Sequence, residues 1–349
     1  MNATQARNRE LDLDGLLLIA EGHAAFQLLW AGVQLDLFAL LSKDPGLNLE
    51  AVADRLGLQR QPARILLVGL TALGIIQKEG SAYRNSPIAE KMLVKGSATN
   101  IGPVLGWQAH IVYPGLTDFL ESLRQYRNVG LRQFPGQGDT LYERLASHPG
   151  IEKVFQDAMS GLSRQANAHL LDAVDLSPYR HLVDMGGGDG TNALAIARKF
   201  PHLRVTVFDS ASVCELAKAN IAASGLADRV DTHRGELYAD AFPAGADIFL
   251  FSHMFTIWSL EKNRQLLAKS HTALPPGGSV LVFNMMGRDD DTGPLSTALG
   301  SPYFLAIATG EGMLYSWQDH EEQVRAAGFT KIRRVEGLPL DHGLIIGTK

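Results

Sequence analysis

Residues 181–191, His-Leu-Val-Asp-Met-Gly-Gly-Gly-Asp-Gly-Thr, constrain this chain more than any other stretch. A short apolar run ends in Asp184, a glycine turn follows, and an Ala-rich helical pattern continues through 192–199. A strand, a tight loop and a helix N-terminus together present backbone N–H groups that a ligand can approach closely. The spacing then discriminates between ligands. A dinucleotide loop of the form G-x-G-x-x-G needs its third glycine at 191, where Thr191 stands. Here the glycines are Gly186, Gly188 and Gly190, behind Asp184. The next strand pattern, 204–208, ends in Asp209, at the point where a doubly wound sheet grips a ribose through both hydroxyls. The two features together favour a nucleoside-bearing cofactor over a plain turn followed by a solvated acid.

The rest of 179–349 alternates strand and helix, which implies a parallel sheet with helices on both faces. Strands are expected at 180–185, 204–208, 229–234, 246–252 and 278–284, and helices at 190–200, 211–224 and 259–273. A last helix at 318–327 leads to a closing hairpin of 331–336 and 344–348, turned by 337–343. Ligands of such sheets bind beyond the carboxyl ends of the strands. That rule gathers 184–190, Asp209, 235–237 and 252–258 around one cleft. The expected cofactor contacts are Asp184, Gly186, Gly188, Gly190, Asp209, Glu236, Leu237 and Ser252. Glu236 suits an adenine amino group and equally suits a solvated surface.

Residues 1–100 read as three helices and a hairpin, a winged helix. The stretch 16–41 is expected to be one helix, apolar almost all round and so buried on several sides. The helix that would read DNA, 61–73, carries Arg64 as its one charge, and Asp36, Asp44, Glu50 and Asp54 surround it. With a net charge of −5 there is no basic face for nucleic acid or for an anionic membrane. The surplus apolar surface points instead to a two-fold homodimer. Residues 101–178 form connecting helices, in which Trp107, His110, Tyr113, Phe155 and Met159 either roof the cofactor domain or pack as ordinary core. Cys214 is the one cysteine, the first ten residues lack an apolar signal core, and no apolar run reaches the length of a bilayer span. A cytoplasmic enzyme without a membrane partner is expected.

Taken together, 184–190, Asp209, 235–236, Phe155 with Met159, Leu-Pro-Pro-Gly-Gly at 274–278 and Ala-Ala-Gly-Phe at 326–329 resemble the dimeric small-molecule O-methyltransferase family. The glycine loop resembles that of class I S-adenosylmethionine (SAM) methyltransferases. The resemblance covers nearly the whole chain. It implies an α/β fold: a Rossmann-like SAM-methyltransferase domain preceded by an all-helical, winged-helix dimerisation domain. It also implies a SAM cofactor with its ribose on Asp209 and its adenine near Glu236, and a small-molecule acceptor in natural-product metabolism.

The departure lies where the chemistry should be. O-methylating relatives read roughly Leu-His-Asp-Trp after the fourth Rossmann strand, with the His as general base. Aligned through Trp258, this chain has Thr256 and Ile257 at the His and Asp positions. A threonine hydroxyl is no base near neutral pH. Methyl transfer needs chiefly in-line positioning, so a carbon acceptor (the β-carbon of an enolised 2-oxo acid), a nitrogen or a preionised oxygen all remain open. So does a SAM-binding protein that transfers no methyl, of pericyclase or hydroxylase type, and, less favoured, a DNA-binding regulator. His253 is the nearest replacement base, and Trp258 and Glu311, the latter in a glycine-flanked lid at 308–315, join the candidate substrate contacts. No His/Asp/Glu spacing points to a metal. His320 is expected on an exposed helix and Asp289, Asp290 and Asp291 in a solvated loop.

Overall fold

The structure, a computed structural model, describes residues 11–145 and 147–349. The reading of the first ten residues as lacking a signal core lies outside the described residues. Chain contacts divide the molecule into two units, Met1–Gly106 and Trp107–Lys349.

In the first unit, helices α1 (Leu13–Ala20), α2 (Gly22–Gln34) and α3 (Leu37–Lys43) replace the single helix expected over 16–41. The chain turns at Glu21 and again at Asp36, which takes a left-handed φ of 52°, a conformation an aspartate side chain tolerates better than most. Helix α4 (Leu49–Leu56) is capped by Asn48, whose Oδ1 accepts from the Ala51 N–H at 2.9 Å, and it ends at left-handed Gly57. Helix α5 (Arg60–Ala72) and the antiparallel hairpin of β1 (Ile76–Glu79) and β2 (Ala82–Asn85) complete a winged helix. Leu37, Phe38, Leu41, Val52, Leu67, Leu70, Ile76 and Tyr83 form its core. Helix α1 buries no residue, so the expected burial on several sides fails there within one chain, whereas Leu37, Phe38 and Leu41 on α3 are buried. No single described helix is long and apolar enough to cross a membrane, and the α1–α2 pair bends by 69°.

The second unit holds a seven-stranded sheet in the order β5-β4-β3-β6-β7-β9-β8. Its strands are β3 (His181–Met185), β4 (Arg204–Asp209), β5 (Val230–Arg234), β6 (Ile248–Ser252), β7 (Ser279–Met285), β8 (Lys331–Val335) and β9 (His342–Thr348). The first five are parallel, and β9 runs antiparallel to both β7 and β8. Continuous apolar runs such as Ile248–Phe251 and Val280–Phe283 are buried on both faces, as a sheet covered by helices on each side requires. One face packs Leu182, Val205, Leu250 and Phe283, and the other Val183, Phe249, Phe251 and Val282. The chain winds outward from β3 through β4 to β5, then returns to place β6 on the far side of β3. The crevice between β3 and β6 is therefore the topological switch point, where such sheets bind ligands.

Ahead of the sheet, the last of the connecting helices is a 25-residue helix, Pro149–Ala173, with its one proline at the first helical position and none inside. Around Trp107 the regular helix gives way to a π-helical turn, Gln108–Val112, and a 3₁₀ turn, Leu116–Asp118. His320 is a correction: it is buried on helix Trp317–Ala326, and burial pushes its imidazole down to about 4.

Candidate active site

The glycine loop is pinned to the neighbouring strand by its own backbone. The Gly186 N–H donates to the Phe208 carbonyl at 2.7 Å. At Gly188, with φ of 59° and open space where a Cβ would stand, the N–H donates to Asp209 Oδ2 at 2.9 Å. Asp209 Oδ1 accepts from the Ser210 N–H at 2.7 Å. Burial nevertheless raises the Asp209 carboxyl above its ordinary range, with Glu236 adding to the effect. Gly190 forms the left-handed cap of helix Thr191–Lys199. Asp189 is occupied by Thr191, through N–H and hydroxyl, and by the Ser160 hydroxyl at 2.6 Å.

Asp184 differs from its neighbours. It is 1% exposed, and neither carboxylate oxygen has a hydrogen-bond partner among the described residues. Burial first, then Asp209 and Asp189, push it up to about 7. A buried carboxylate left without donors is costly unless a charge of opposite sign joins it. Unsatisfied acid beside open glycine backbone suits SAM, which carries a sulfonium, an ammonium and a ribose diol. The residues present therefore fit that cofactor. Glu236 is exposed and its N–H is held by Asp240 Oδ2 at 2.8 Å. Leu237 packs against the core, and its carbonyl accepts from Lys269 Nζ at 2.8 Å.

Across the crevice, the segment after β6 carries the residues expected to act. Thr256 is 2% exposed, and its hydroxyl donates to the His253 carbonyl at 3.1 Å. That hydroxyl is engaged as a local tie within the turn. His253 has a left-handed φ of 58°, strained for a non-glycine residue. Its Nε2 lies 2.9 Å from Nε2 of His342, and its Nδ1 lies 3.2 Å from Ser252 Oγ. Ser252 Oγ is thus engaged with the imidazole. Burial, and then His342, push His253 down to about 3. Burial lowers His342 as well. Both rings are neutral near pH 7. The aromatic face of Phe283 stacks on His342 at 5.1 Å and meets His253 edge-on.

His342 was missed in the sequence, where it reads as part of a turn. Its one signal is an imidazole at the mouth of a strand beside the sheet's ligand end. Asn284, buried near the end of β7 with both amide atoms unpartnered among the described residues, was also missed.

The expected substrate residues all lie in the second unit. Trp107, edge-on to Tyr303 at 4.9 Å, and Phe155, edge-on to Tyr142 at 5.8 Å, are partly buried and pack against a helical core. Met159 is half-buried on helix Pro149–Ala173, while His110 and Tyr113 are exposed. Glu311 pairs with Lys262 at 2.6 Å, and the Lys262 ammonium lies 4.7 Å over the Trp258 ring. These contacts hold 309–312 against the segment after β6. Thr309 also donates to the Ile257 carbonyl, and the Tyr315 hydroxyl to that of Trp258 at 2.9 Å. Asp289 is not simply solvated either: it pairs with Arg334 and accepts from the Gln318 N–H.

Residues 17–95 match the O-methyltransferase dimerisation domain and residues 116–330 the O-methyltransferase domain. An L-tyrosine C(3)-methyltransferase of Streptomyces lavendulae is 39% identical, over 97% of this chain and 93% of its own. A 3-hydroxy-5-methyl-1-naphthoate 3-O-methyltransferase of Streptomyces sahachiroi is 32% identical, over 95% and 94%. Among solved structures, the SAM-dependent methyltransferase SibL in its apo form superposes with a TM-score of 0.84 at 42% identity, covering 97% of this chain and 99% of that one. Human N-acetylserotonin methyltransferase in complex with SAM does so with a TM-score of 0.84 at 25% identity, covering 98% and 99%. A dimerisation domain indicates a homodimer, and the regulator and non-transferring readings give way to an enzyme. The chain belongs to the O-methyltransferase family, as a small-molecule methyltransferase of the natural-product type with S-adenosylmethionine as its methyl donor.

Proposed function

We propose that this enzyme methylates a ring carbon of a phenolic amino acid or a close analogue, beside the phenol hydroxyl. The observation that carries this reading is the engaged, buried hydroxyl of Thr256, the residue that the resemblance aligns with the general-base His of O-methylating relatives. A phenolate is an extended enolate, with nucleophilic density on the carbons next to its oxygen as well as on the oxygen. The carbon acceptor considered from the sequence is therefore kept, with a phenol in place of a 2-oxo acid. The 39% identical relative acts at carbon 3 of L-tyrosine, which supports the choice.

When bound, the cofactor supplies an electrophilic methyl group on a sulfonium sulfur. Asp209 takes the ribose hydroxyls, with its carboxylate aimed by the Gly188 and Ser210 N–H groups. Asp184 faces the cationic end of the cofactor, which restores its ionised form. Gly186 and Gly190 shape the loop, and Glu236 and Leu237 border the adenine. Trp107, Phe155 and Met159 wall the acceptor side. The neutral His253 adds no positive charge beside the sulfonium and cannot hold the proton of a phenol, whose ordinary pKa is near 10. The acceptor reacts as the phenolate, so the rate rises with pH toward the phenol's own ionisation.

Oxygen methylation of the same phenol is the second reading, favoured by relatives such as the naphthoate 3-O-methyltransferase. Methyl-labelled SAM separates the two. Incubation with L-tyrosine, hydroxylated aryl amino acids and simple phenols, followed by NMR of the product, distinguishes an aryl methyl from a methoxy group. Aryl methyl is expected. Methoxy product alone would reject the ring-carbon assignment.

A further inference from the structure

Two neutral imidazoles facing each other at 2.9 Å need a donor and an acceptor, and the surrounding groups fix which is which. The His342 Nδ1 lies 3.2 Å from the Pro339 carbonyl, which only accepts. Nδ1 therefore carries the proton, and His342 Nε2 is an acceptor. His253 must then donate from Nε2, which leaves its Nδ1 unprotonated and accepting from the Ser252 hydroxyl at 3.2 Å. The result is one directed chain: Ser252 to His253 to His342 to the Pro339 carbonyl. It starts at the carboxyl end of β6, beside the crevice, and ends in the turn that opens β9; its central link joins two histidines 89 residues apart in sequence. The strained backbone of His253 supports a functional reading, because a left-handed non-glycine residue is kept where the surroundings need it.

We propose that Ser252, His253 and His342 form a proton relay that removes the ring hydrogen once the methyl group has been added, with His342 as its receiving end. This inference rests on the ring-carbon reading above. Attack by the ring carbon leaves a dienone in which that carbon bears both the new methyl and its original hydrogen. The C–H bond breaks and its electron pair returns to the ring. Ser252 Oγ takes the proton as its own passes to His253 Nδ1, and the His253 Nε2 proton crosses to His342 Nε2. One proton then resides on His342 and is lost to solvent as the product leaves. The regained aromaticity makes this C–H proton strongly acidic, so a weakly basic imidazole is sufficient for it. The low basicity of His253 thus suits this step as well as it disqualifies His253 from the phenol hydroxyl. The charged and titratable neighbours of the pair are His169, from helix Pro149–Ala173, which opposes a positive His342, and Asp341, which favours one.

His342 acts through His253, so its test must separate relay from scaffold. The full-length His342→Gln enzyme would be assayed with SAM and ring-deuterated L-tyrosine beside the unlabelled amino acid. Glutamine can accept the His253 hydrogen bond but cannot take up its proton. We expect kcat to fall about 10²-fold, with KM and SAM affinity within about twofold of wild type. A primary isotope effect absent from the wild type should appear as proton loss becomes limiting. An unchanged kcat, or a loss without an isotope effect, would overturn the relay while leaving ring methylation standing. Methoxy product from the wild type would overturn both, since no ring proton is then removed. Should the variant fail to fold, nitrogen NMR of the wild-type histidines decides instead. His253 protonated on Nε2 and His342 on Nδ1 are expected, and any other pair of tautomers at neutral pH rejects the chain.

Discussion

Asp184 has an energetic state that depends on what lies in the crevice. Its carboxyl is raised to about 7 by burial and by Asp209 and Asp189. An ordinary aspartate in the unfolded chain titrates near 3.9. The folded state therefore binds the proton more tightly, and the stability this contributes is complete below about pH 4 and lost as pH rises through about 7. Without cofactor, wild-type enzyme should lose melting temperature between about pH 5 and pH 8 relative to Asp184→Asn, which should melt a few degrees higher at the upper end. SAM should reverse that order, because its positive charge favours the ionised acid. The wild type should bind SAM more tightly as pH rises through about 7, whereas Asp184→Asn should bind about tenfold or more weakly and without that pH dependence. Calorimetry across the range reads both, and a pH-independent wild-type affinity would remove Asp184 from the cofactor's cationic end. Thr256 gives a complementary test. If its hydroxyl is only a tie to the His253 carbonyl, Thr256→Val should cost about 1 kcal/mol of stability and leave kcat within about threefold. A loss near 10³-fold in kcat would return a chemical role to Thr256.

At the scale of elements, the segment after β6 is held by the loop at 309–312, and Gly312 makes that closeness possible. A Cβ there would collide with the Thr256 carbonyl and the Ile257 backbone, which no rotamer change relieves. Gly312→Ala should cost about 2–3 kcal/mol and displace the Thr256–Trp258 turn, with activity falling further than folding alone explains. Lys262→Met should do less. That pair is about one-third exposed at both ends, so its loss should cost under about 1 kcal/mol and mainly raise KM as the loop loosens. Thermal melts beside steady-state kinetics separate the two cases. Why some of this was legible in the sequence follows from the same elements. Parallel strands buried on both faces must be apolar runs, and Asp184 and Asp209 stand out because they end such runs. The helices at 211–224 and 260–273 follow from that framework almost to the residue. The anchoring of Glu311 and the pairing of His253 with His342 were not legible, because each joins segments that meet only once the sheet has formed. The breaks of 16–41 at Glu21 and Asp36 escaped for another reason: apolar periodicity does not register a one-residue turn such as the left-handed Asp36.

Across the molecule, apolar surface is distributed unevenly, and that distribution predicts assembly. Leu16, Leu17, Leu18 and Ile19 on α1 are each about half exposed or more, and Ile65 and Val68 on α5 add to the same excess. A helix that buries none of its residues in its own chain has little reason to stay folded in water, so its apolar face must be covered by something. The dimerisation-domain match over residues 17–95 makes a second copy of this chain the occupant. Leu16 and Ile19 lie one turn apart on one face. Replacing both with glutamate should remove roughly 2 kcal/mol of apolar burial per side chain in each protomer, besides placing like charges against each other. Light scattering should then report a monomer. The glycine loop, Asp184, Asp209 and the histidine pair all belong to the second unit, which has its own core on both faces of its sheet. SAM affinity per chain should therefore stay within about twofold of wild type even in the monomer. A dimer that survives the double substitution would move the interface away from α1. A monomer that loses SAM binding would mean that the cofactor site depends on the assembly and not on one sheet alone.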